Sequence, residues 1–97
     1  MKMDNSLALS VHRALLCAIP KNLKGLRVVI EENNKLLWQA FFDAEPTEVE
    51  MEVLRIASTE VLADYPDIHL IEEEFLYHPA SLNIHSIEEW AFVRWEP

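Results

Sequence analysis

The residues able to do chemistry are seventeen acids, four histidines and a single cysteine in 97 residues, set against one glycine. A catalytic or metal centre would require some of them to converge. His85 and Glu88 stand three apart, but at a loop-to-strand junction, where that spacing does not bring two ligands together as it would on a helix. His69 and Glu72 fall in a strand, in which an odd separation aims side chains at opposite faces. There is no HExxH, Cys17 sits in an apolar helical run with no histidine beside it, and one glycine leaves no phosphate-cradling loop. The chain therefore reads as a non-enzyme, with no catalytic residue, no metal and no cofactor.

The acids make better sense as a binding surface. Asp43, Glu45, Glu72, Glu73, Glu74, Glu88 and Glu89 cluster around the ends of the second, third and fourth expected strands. General acid–base work would need two carboxylates in different environments, and nothing in the sequence separates these. Pairing with Lys and Arg of another protein needs only proximity and exposure. Those seven acids, with Trp90, form the candidate partner-binding set, and solvation alone is the bland alternative. Glu60 is a different case, because it projects between Val49 and Val53 on the apolar side of its helix. Its carboxylate must reach the rim, find a donor or protonate, and a rim or locally bonded role is preferred over a functional one.

The elements that must position these groups follow from the residue pattern. The segment 43–66 has a complete helix grammar: Thr47 as N-cap, Glu50 closing a capping box, acids in the first turn and Pro66 as the stop. At about 100° per residue, Val49, Val53, Leu54, Ile56, Ala57 and Val61 share one arc, with Glu52, Arg55, Ser58 and Thr59 opposite. A first helix is expected from Asn5 or Ser6 to about Ala18, with a stripe of Leu7, Val11, Leu15 and Ala18.

Residues 26–31 alternate as a strand, 32–34 supply an asparagine turn, and 35–42 return as its hairpin partner. Because 35–42 is apolar on both faces, it belongs inside the sheet. Residues 67–77 form a third strand with a bulge expected near Ile71, and 88–95 a closing strand after an exposed loop. The expected fold class is α+β: a two-layer sandwich in the order α-β-β-α-β-β, two antiparallel hairpins each preceded by a helix, with a four-stranded, mainly antiparallel sheet and two helices on one face. Arg27, Val29, Leu37, Gln39, Phe41, His69, Glu73 and one set of closing-strand aromatics would then face outward on the other side.

Length and composition bound the rest. The chain makes a single domain over 1–97, and its hydrophobic share of 51% excludes intrinsic disorder. A lone cysteine and no long uncharged apolar run point to a cytoplasmic protein away from the membrane. The net charge of −9 is unevenly divided: residues 1–42 hold six bases and three acids, whereas 43–97 hold two bases and fourteen acids. Direct nucleic-acid binding, which rests on cations, is disfavoured, and a basic protein partner is favoured.

Over residues 14–95 the chain resembles a family of small bacterial immunity proteins associated with contact-dependent growth inhibition. The resemblance lies in ALLCAIPKNLKGLRV, FFDAEPTEVE and STEVLADYPD, followed by an aromatic closing strand. It implies a cytoplasmic antitoxin that binds the C-terminal domain of a cognate polymorphic toxin one to one. That toxin is frequently a nuclease, whose active site or substrate groove would be covered. The competing reading is an acidic adaptor or a homodimer formed through the open sheet face.

Overall fold

The computed structural model describes residues 5–16, 18–79, 82 and 90–94. The order is α1 (Asn5–Leu15), β1 (Leu23–Ile30), β2 (Lys35–Phe42), α2 (Glu48–Ala63), β3 (Leu70–Tyr77) and β4 (Trp90–Val93). This is the expected α+β arrangement of two helices and a four-stranded sheet. Local grammar placed α2 and the β1–β2 hairpin correctly. Thr47 Oγ1 accepts the Glu50 amide and the Glu50 carboxylate accepts the Thr47 amide. At the hairpin, Asn34 takes the left-handed conformation at φ 59° that asparagine tolerates. The first helix stops at Leu15 rather than near Ala18, tightening into three-residue turns as Leu16 N–H donates to Arg13 and Ala18 N–H to Leu15.

The sheet order is β3-β2-β1-β4, which corrects the expected pairing of the last two strands. β3 does not form a hairpin with β4. It runs parallel to β2 from Lys35↔Leu70 to Phe42↔Tyr77, as a strand reached through a crossover helix does, while β4 pairs antiparallel with β1 on the far edge. β3 keeps its register throughout, so the bulge expected at Ile71 is not there. The irregularities lie in β1, between Leu23 and Gly25 against β2 and between Leu26 and Arg27 against β4. β2 is interior, as its two apolar faces required.

Both helices cover the same sheet face. Leu7, Val11, Ala14 and Leu15 of α1 and Leu54, Ala57 and Val61 of α2 close over Leu26, Val28, Leu36, Trp38, Ala40 and Phe42. The buried arc of α2 is rotated from the one expected: Val49 and Ile56 are exposed, whereas Ser58 is buried. Glu60 is exposed as well, in keeping with the rim role preferred for it. Between the helices, Ser10 Oγ and Arg13 Nη2 both donate to Asp64 Oδ2, at 2.6 and 3.1 Å.

Candidate functional site

The face of the sheet away from the helices is set by strand alternation and by the hairpin register. Arg27 lies opposite Gln39, and Gln39 opposite Glu74, so the three side chains span β1, β2 and β3 in one row. Arg27 Nη1 donates to Gln39 Oε1 and Gln39 Nε2 donates to Glu74 Oε1, each at 2.5 Å. One step toward the start of β3, Lys35 Nζ donates to Glu72 Oε1 at 3.0 Å and stands 3.6 Å from Glu31 Oε1. The Lys35 hydrogen bond, reinforced by its charge, holds the Glu72 carboxyl below the usual glutamate range. The same bond and the neighbouring Glu31 raise Lys35.

The other end of this face is aromatic. The Phe41 ring packs tilted against Trp90, with centroids 5.4 Å apart, and meets the His78 ring edge-on at 5.9 Å. Gly25 permits this arrangement, since a Cβ there would stand 2.8 Å from both Leu82 Cδ1 and Trp90 Cζ3. Beyond the rings, Arg94 Nη2 donates to Asp43 Oδ2 at 2.6 Å and Lys24 Nζ donates to the His78 carbonyl at 2.9 Å.

The expected acid cluster is thus divided among separate places. Glu72 and Glu74 share the open face with Trp90, though the aromatic and acidic groups occupy different ends of it. Asp43 belongs to the corner with Arg94, and Glu45 is exposed on the approach to α2. Glu73 corrects the expectation that placed it on the open face: it points to the helix side, where Ser58 Oγ donates to its Oε2 at 2.9 Å. Parallel pairing with β2 decides this, because Glu73 sits opposite Trp38, a core residue. Glu88, Glu89 and Cys17 lie outside the described residues.

Lys35, His78 and Arg94 were not among the candidate residues, although each touches one of them or their neighbours. The asparagine turn could have pointed to Lys35, which opens β2. No local signal links Arg94 to Asp43, 51 positions away.

Among the described residues no three His, Cys, Asp or Glu side chains are grouped to hold a metal ion. No described helix is long and apolar enough to cross a membrane. An arrangement of paired charges and packed rings on an open sheet face can bind another protein. No curated protein matches the chain. The profile described as "MafI2 immunity protein" matches residues 4–96, nearly the full length, and the chain therefore belongs to the MafI2 immunity protein family.

Proposed function

We propose that this immunity protein binds a cognate toxin domain one to one in the cytoplasm, and that the toxin is a basic nuclease of the kind delivered by contact between cells. The supporting observation is the division of charge. Residues 43–97 hold fourteen acids and two bases. Their described part folds into α2, β3 and β4, with exposed carboxylates at Glu45, Glu48, Glu52, Glu60 and Glu72. A domain that grips RNA or DNA gathers Lys and Arg against phosphates. An acidic inhibitor is steered to that same surface and competes with the substrate for it.

The partner contacts are assigned to Asp43, Glu45, Glu72, Glu74 and Trp90, together with Glu88 and Glu89 of the sequence-derived set. Glu73 supports them from behind through its bond to Ser58. Neutralisation in this reading is occlusion of the toxin's active site or substrate groove, and it requires no chemistry from the inhibitor.

The test is co-expression with the open reading frame beside the gene for this chain. That product should arrest growth when expressed alone and should be tolerated when this chain is present. A neighbour that is harmless by itself, or equally toxic in both cases, would refute the reading.

A further inference from the structure

The two edges of the sheet are unlike. β4 is four residues long, but β3 runs for eight, is paired with β2 along its whole length, and among the described residues has no strand on its other side. Alternate backbone N–H and C=O groups of such a strand point away from the sheet, a ready template for another chain. Edges are usually blunted by shortness, proline, a bulge or lysine. β3, reading LIEEEFLY in unbroken register, has none of these.

Its guard is the run Glu72, Glu73, Glu74, and that guard discriminates by sign. Two copies pairing antiparallel through β3 would set glutamate against glutamate, which opposes self-association. A strand bearing Lys or Arg meets the reverse situation. The ends of β3 are apolar and exposed, Leu70 by 56% and Leu76 by 39%, and they share the open face with Glu72 and Glu74. The edge is also held firmly from the helix side, where Ser58 bonds Glu73 and the Arg55 guanidinium lies 5.3 Å over the Phe75 ring. A rigid edge loses little freedom on binding.

We infer that the free edge of β3 accepts an extended basic segment of the toxin as an added strand. Lys or Arg of that segment lies beside Glu72 and Glu74, and its apolar residues lie beside Leu70 and Leu76. The inference rests on the toxin-neutralising reading above. Main-chain bonds supply the affinity in this mode, and alternate side chains supply the selection.

The experiment uses this chain with the purified toxin domain encoded by the neighbouring open reading frame. Amide hydrogen exchange is followed along residues 70–77 in the free and bound states. Binding is measured at about 500 mM salt, where long-range steering is screened, for the Glu72→Lys/Glu74→Lys pair and for a charge-matched Glu52→Lys/Glu60→Lys pair on the outer side of α2. Alternate amides of β3 should slow in the complex, and the β3 pair should weaken affinity by about tenfold or more while the α2 pair stays within about threefold. A complex that forms without slowing at 70–77, or equal weakening by both pairs, overturns strand addition and leaves the toxin reading standing. Failure of any complex to form overturns both.

Discussion

Ser58 Oγ donates to Glu73 Oε2 across 2.9 Å, joining the middle of the crossover helix to the middle of the edge strand. Ser58 is 1% exposed, so the bond lies largely out of water, and the Arg55 carbonyl, 2.9 Å from the same oxygen, competes for its single hydroxyl proton. A buried hydroxyl and a carboxylate at this spacing exchange a charge-assisted bond, stronger than one between neutral groups. It explains why α2 buries a serine while exposing Val49 and Ile56.

Replacing Glu73 should therefore cost stability. Glu73→Ala is expected to lower unfolding free energy by about 1 kcal/mol, the net loss of one hydrogen bond, because the Ser58 hydroxyl keeps the Arg55 carbonyl as an acceptor. Denaturant unfolding measures it, with Glu72→Ala as the exposed comparison and a smaller loss expected there.

Trp38 makes a second prediction, in which two effects oppose. Its side chain is fully buried, and its Nε1 finds no hydrogen-bond acceptor among the described residues. Trp38→Ala should cost roughly 3–5 kcal/mol through lost burial and the cavity left behind. Trp38→Phe removes the unpaired N–H while keeping most of the aromatic volume, so its cost should fall clearly below that of Trp38→Ala. Thermal unfolding of the two variants tests the ratio.

The Lys35–Glu72 pair sets a pH dependence with a definite sign. Glu72 is lowered from 4.5 by the Lys35 bond, so its contribution to stability is complete above that unfolded value and fades as pH falls through the lower folded one. Lys35 is raised from 10.5, so its contribution is complete below that value and fades as pH rises through the higher folded one. The stability difference between the unaltered chain and Glu72→Gln should hold level near neutrality and shrink at the acid end. Melting temperatures across the acid range give the answer, and a difference that grows toward low pH would contradict the assignment.

How much of this was legible in the residues depends on how local each feature is. The Thr47–Glu50 capping box, the Asn34 turn and the Leu7, Val11 and Leu15 positions of the α1 stripe need only neighbours three or four positions away, and these stand as read, whereas Ala18 falls beyond the end of the helix. The partner of β3 is not a local property. The apolar faces of β2 required strands on both sides, yet a hairpin with β4 and a crossover onto β2 satisfy the same alternation in LIEEEFLY. That single choice of pairing moved Glu73 from the open face to the helix side and divided the acid cluster. It also rotated the buried arc of α2, since the helix turns its serine toward the strand it delivers. The open face itself was largely legible, because Arg27, Gln39 and Phe41 follow from the hairpin register alone.

The central claim is that the lopsided negative charge of residues 43–97 exists to meet a basic toxin. Its most direct measurement is the association rate of this chain with the toxin domain encoded beside it, between about 50 and about 500 mM salt, a range over which the screening length falls well below the size of either protein. Electrostatic steering predicts a steep fall in that rate, about tenfold or more, with dissociation changing far less. An association rate that is flat across the range, or that rises with salt, would contradict it.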